Sequence, residues 1–177
     1  MKIFKLLTPG FCAFLVISSG CNNSSDESQT ESPGAESNNN EIMETNKLES
    51  FGIKYAGAWC SQKADSVASY FANNGSLTVN NGSPAIGRVA IAKVAEGFMT
   101  AFPDMMVTMD SLKTISNGTE FHWTLTGTNS GPNGTGKKVR ISGFELWLIN
   151  NDGLIQESKG SFNAEEYNRQ LKYGAGN

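Results

Sequence analysis

Hydrophobic positions in the first half of the folded part recur at helical spacing. Leu48, Phe51, Tyr55 and Trp59 lie three or four residues apart and predict an amphipathic helix from residue 47 to about residue 60. Gly52 and Gly57 are its weak points. Residues 64–71 present Val67, Ala68 and Phe71 as a second short helix, which ends at Asn73, Asn74 and Gly75 before a strand over 76–79. A third helix, about 88–101, carries Ile91, Val94, Ala95, Phe98 and Phe102 on one face. Pro103, with no backbone N–H to donate, stops it.

From Met105 onward the pattern changes to that of strands. Segments 105–116 and 119–128 flank Asn117 and Gly118, a dipeptide suited to the positive dihedrals of a tight hairpin. The Gly, Asn and Pro of 129–136 make a loop, 137–149 a long strand, 150–153 a turn and 154–162 a returning strand. Asn163 and Glu166 then form a variant capping box ahead of a last helix bearing Tyr167 and Leu171. No internal repeat interrupts this order. Helices, then a meander of long strands, then a terminal helix predict an α+β fold whose sheet curls around a helical face. Such a sheet encloses a cavity at its open end.

Composition changes the picture mainly at the N-terminus of the 177-residue chain. Residues 1–21 read as a targeting peptide, with Lys2 and Lys5 ahead of an apolar run too short to span a bilayer. Ser18, Ser19, Gly20 and Cys21 resemble the lipobox of bacterial lipoproteins, in which the cysteine is acylated. The alternative is an ordinary secretory signal cut near Gly20, with Cys21 an incidental thiol. Residues 22–46 hold six acidic and no basic side chains and almost nothing apolar beyond Ile42 and Met43, so they are expected to form a disordered, solvated tether. Residues 47–172 form the domain, and 173–177 a flexible tail. From Lys47 on, twelve Lys and Arg oppose eleven Asp and Glu, a formal charge of +1 that points to no nucleic acid. Cys60 has no intrachain partner if Cys21 is lipidated. It is read as a small buried hydrophobe, with a reactive thiol as the alternative. The expected location is the cell envelope, lipid-anchored at the outer membrane.

Several stretches carry a resemblance to a known family: Ala101, Phe102, Pro103 and Asp104; residues 123–128, WTLTGT; residues 134–139, GTGKKV; and the turn Asp152, Gly153, Leu154, Ile155. The chain resembles a SnoaL-like domain of the nuclear transport factor 2-like superfamily over roughly residues 47–171. The resemblance implies a cone-shaped barrel: a strongly curved, mostly antiparallel sheet packed on three N-terminal helices, with a short C-terminal helix. It also implies an apolar pocket and commonly a homodimer through the outer face of the sheet. Members include polyketide cyclases, isomerases and epoxide hydrolases, whose pocket carboxylates move protons without a cofactor. This chain departs from that pattern at three positions. Asn129 stands where relatives often carry His, Leu148 where Arg is common, and Asn163 where many have Asp. An Asn side chain cannot serve as a general base.

Strand alternation places Glu145 on one face with Val139, Ile141, Trp147 and Ile149. It is read either as a pocket acid, base or ligand anchor, or as a carboxylate paired with Arg140, Lys138 or a partner subunit. His122, the single histidine, shares the polar face of its strand with Glu120, Thr124 and Thr126 and should meet solvent or a dimer partner. Tyr55, Trp59, Trp123 and Trp147 are candidate pocket lining, together with Asn163, whose other role is the helix cap. No cofactor is expected, and no ligand set of recognisable spacing implies a metal. Three functions remain open. The preferred one is a membrane-tethered domain binding a small, largely apolar molecule, with Glu145 as anchor. The second is a cyclase-like or isomerase-like enzyme using Glu145 as acid or base. The third is a structural or partner-binding lipoprotein with a vestigial pocket.

Overall fold

The computed structural model describes residues 33–176, so the expected signal peptide, Cys21 and the start of the expected tether lie outside the described residues. The elements run α1 (Pro33–Cys60), α2 (Ala64–Ala68), β1 (Phe71–Val79), β2 (Ala85–Ile86), α3 (Arg88–Ala101), β3 (Met106–Ile115), β4 (Gly118–Thr128), β5 (Lys138–Ile149), β6 (Ile155–Phe162) and α4 (Ala164–Tyr173). One six-stranded sheet has the order β2-β1-β6-β5-β4-β3. It is mixed, because β1 lies parallel to β6 while every other neighbouring pair is antiparallel.

The sheet is not closed, which corrects the expected barrel. β2 and β3 are its two edges, and the two-residue β2 pairs with β1 alone. The concave face is covered by helices instead. Nor do three helices precede the strands, since β1 and β2 separate α2 from α3. Phe71, expected to close the second helix, opens β1, and the Asn73, Asn74, Gly75 stretch expected to end that helix is an irregularity inside the strand, between the β6 pairings of Phe71 and Ser76.

α1 also begins well before residue 47, so part of the expected tether is helical. A composition poor for burial does not exclude a helix, which satisfies its own backbone hydrogen bonds. Pro33 suits a first helical position, and Glu44 pairs with Lys47 at 2.8 Å one turn on. The C-terminal half of α1 docks on the sheet. There Gly52 is a point of close approach, since a Cβ would stand 2.6 Å from Met109 Sδ and 3.1 Å from a Leu112 methyl. At the other end, α4 packs on β5, and the Ala175 N–H donates to the Lys138 carbonyl at 2.7 Å, so the expected tail is tied down as far as Ala175.

The core fills the space between helices and sheet with aromatic rings. Tyr55 lies at its centre, edge-on to Trp59, Tyr70, Phe121 and Trp147, while Phe121 and Trp147 stack at 4.6 Å between centroids. Fully burying side chains of this size contributes several kcal/mol in total, at roughly 1.5–3 kcal/mol each. A core this rigid also fixes whatever polar groups it surrounds.

Candidate functional site

Among the described residues Glu145 is the one buried charged side chain, with 6 % of its surface exposed. Its position follows from strand alternation, which turns Val139, Ile141, Glu145 and Trp147 of β5 inward; Ile149, at the strand end, is exposed. Three elements supply donors to its carboxylate. Ser158 of β6 donates to Oε2 at 2.6 Å, Trp147 Nε1 to Oε2 at 3.0 Å, and the Tyr55 hydroxyl of α1 to Oε2 at 3.1 Å. The second oxygen, Oε1, receives only a longer contact from Tyr55 at 3.4 Å. Tyr55, Trp147 and Ser158 are fully buried, so water does not compete for these bonds.

Among the described residues, no ion pair involves Glu145. Lys138 and Arg140, proposed above as partners, are exposed residues of the alternate parity along β5. Desolvation is therefore the largest influence on Glu145 and raises its pKa above 4.5, while the bonds from Ser158, Trp147 and Tyr55 pull it down. Burial, then the charge of Glu145, holds the Tyr55 hydroxyl well above its usual range. A carboxyl group that keeps its proton more readily than usual and has one unsaturated oxygen can accept, donate or transfer a proton.

Glu145 stands in the wall of a cavity of about 50 Å³. Leu77 and Val79 of β1, Phe98 of α3, Val107 of β3 and Phe121 and Leu125 of β4 form part of the remaining, almost wholly apolar wall, which Phe162 helps to complete. Of the residues expected to line a pocket, Trp59 and Trp123 do. Tyr55 and Trp147 do not. They lie behind Glu145 and act as its donors. Asn163 is exposed at the start of α4, where its side chain accepts the Glu166 N–H at 2.9 Å, so it caps the helix and lines nothing. Ser158, which makes the shortest bond to Glu145, carries no signal in the sequence. It is one polar residue in a strand rich in them.

Two other residues fall outside the cavity. His122 Nε2 lies 2.9 Å from Glu120 Oε2 on the polar face of β4, beside the Phe144 ring. The half-buried Cys60 thiol accepts the Val107 N–H at 3.1 Å and donates to the Val107 carbonyl at 3.3 Å, which ties α1 to β3.

An inward carboxylate on a curved sheet covered by helices agrees with the comparison to known proteins, because the sequence profile of the SnoaL-like polyketide cyclases matches residues 53–171. The chain belongs to that family. Solved structures of SnoaL-like and related proteins share its fold. A putative SnoaL-like polyketide cyclase from Jannaschia sp. CCS1 superimposes with a TM-score of 0.60 at 12 % identity, covering 83 % of this chain and 99 % of that one. AclR, a putative hydroxylase from Streptomyces galilaeus, gives 0.60 at 16 %, covering 74 % and 88 %. A hypothetical protein of ketosteroid isomerase-like fold from Catenulispora acidiphila DSM 44928, in complex with trimethylamine, gives 0.60 at 14 %, covering 69 % and 92 %. At these identities the likeness is one of fold. No curated protein matches the sequence significantly. In this chain the buried carboxylate lies on β5, and Asn163 caps α4.

Proposed function

We propose that the domain binds a small, largely apolar molecule in the cavity beneath the sheet, with Glu145 as the polar group that anchors it. The observation that carries this reading is the carboxylate itself, set in an otherwise apolar wall, with Oε2 saturated and Oε1 nearly free. A carboxylate kept only for stability is expected to have a cation partner, because a buried charge without one is costly. The cavity is about a third of the ~150 Å³ that holds benzene in an apolar core. It therefore takes a few atoms as it stands, and a larger guest must displace wall side chains.

The enzyme reading rests on the raised proton affinity of Glu145, which suits general acid or base work on the bound molecule. Glu145→Gln separates the two readings, since it keeps the shape and most of the hydrogen bonds but cannot exchange a proton at ordinary pH. A binding domain should lose affinity by roughly tenfold for a ligand that bonds Oε1. A catalyst should lose turnover by roughly 10²-fold or more with affinity little changed. Unchanged affinity with no activity to lose removes Glu145 from both roles and leaves it a structural carboxylate, whereas a parent protein that binds nothing has a vestigial pocket.

The proposal places this domain at the cell envelope, held by a lipid on Cys21. Its support is the sequence of residues 1–21. Among the described residues no helix is long and apolar enough to cross a membrane.

A further inference from the structure

One wall residue of the pocket has an unmet hydrogen bond. Trp123 Nε1 is the buried side-chain nitrogen or oxygen that, among the described residues, has no hydrogen-bond partner. Buried donors in folded proteins are nearly always paired, so an orphan on a cavity wall asks for an acceptor. Trp123 packs against bare backbone on one side and a ring on the other. The ring lies over Gly143, its pairing partner on β5, where a Cβ would stand 2.7 Å from Trp123 Cζ2. Phe162 meets it edge-on at 6.2 Å between centroids. As arranged, the nitrogen is covered by its neighbours. A guest larger than the cavity must shift part of this wall, and Trp123 is the wall residue that gains a bond by shifting.

Register fixes what lies next to it. Trp123 pairs with Gly143 and Phe121 with Glu145, so Trp123 and Glu145 are diagonal neighbours on the inner face, about 7–8 Å apart between backbones. We infer that Trp123 Nε1–H is a specificity-determining donor, and that the pocket selects compact apolar molecules carrying a hydrogen-bond acceptor, such as a carbonyl or ether oxygen. The inference rests on the proposal that the pocket binds a small apolar molecule, and goes further by naming the group such a molecule must present. Glu145 then meets a second polar atom of the guest or none.

The test uses the full chain with ¹⁵N-labelled tryptophan, which gives three indole signals, from Trp59, Trp123 and Trp147. The protein is titrated with cyclopentanone and, separately, with cyclopentene, a ring of the same size without an acceptor. The Trp123 indole proton is expected to move downfield with the ketone and not with the alkene. In Trp123→Phe, which keeps an aromatic wall but removes the donor, ketone affinity should fall roughly fivefold while alkene affinity holds. If Trp59 and Trp123 respond alike to both probes, the pocket binds apolar molecules without reading the acceptor, and the inference fails alone. If no indole responds to either probe, the binding proposal fails and takes the inference with it. Should Trp123→Phe not fold, the two titrations of the parent protein decide the matter by themselves.

Discussion

Glu145 accepts bonds from Ser158, Trp147 and Tyr55, yet desolvation outweighs them and favours its protonated form. A carboxyl group whose pKa rises on folding holds more protons in the native state than in the unfolded one. Stability should therefore fall as pH climbs from the ordinary value near 4.5 through the raised native pKa. Glu166 acts with the opposite sign in a separate window. Bonds from Arg169 bring its pKa to about 2, so the stability it contributes is lost as pH drops from 4.5 through that value. Denaturant unfolding across pH should show a decline above roughly pH 4.5 that Glu145→Gln lacks. Parallel profiles for the two proteins would contradict the account of Glu145. At this scale strand parity gave the inward direction of Glu145 from the sequence. It did not give depth: Tyr55 and Trp59 share one helix stripe, yet Trp59 reaches the cavity while Tyr55 bonds the carboxylate from behind.

Elements are joined by a few polar contacts as much as by packing. β6 ends opposite Gly143 at Phe162, which leaves the backbone of Arg140 on β5 without a strand partner on that side. Gln170 of α4 replaces the missing strand, accepting the Arg140 N–H at 2.6 Å and donating to its carbonyl at 2.9 Å. Gln170→Ala should lower stability by about 1 kcal/mol, the cost of losing hydrogen bonds to partly buried backbone groups, as read by denaturant unfolding. A loss below about 0.5 kcal/mol would mean that water satisfies Arg140 equally well. Local signals in the sequence set many boundaries to within a residue: the β3–β4 hairpin, whose turn residues are Ser116 and Asn117 with Gly118 already in β4, the end of α3 before Pro103, and the Asn163 cap of α4. The interruption within β1 was not legible because it is set by pairing with β6, far along the chain, and β2 was not legible because two pairings with β1 leave too short a run for any alternation to show.

For the whole molecule, the resemblance led to a closed cone, whereas the open sheet leaves the helices to complete the chamber. The pattern of alternating residues specifies which face of a sheet is apolar but not how far the sheet curls. The proposed anchor is tested apart from the fold: Cys21→Ser should abolish incorporation of labelled fatty acid into the chain, and undiminished labelling would remove the lipid from Cys21. The central claim, that the chamber holds a small apolar molecule, is tested most directly by filling it. Val79 lines the cavity, and Val79→Phe places a ring in space now empty, at an overpacking cost of about 1–3 kcal/mol that a folded domain can absorb. Native mass spectrometry of both proteins, purified alike from the host, compares what each carries. The account predicts a bound small molecule on the parent that is missing from folded Val79→Phe. The same adduct on both proteins, or none on the parent, would contradict it.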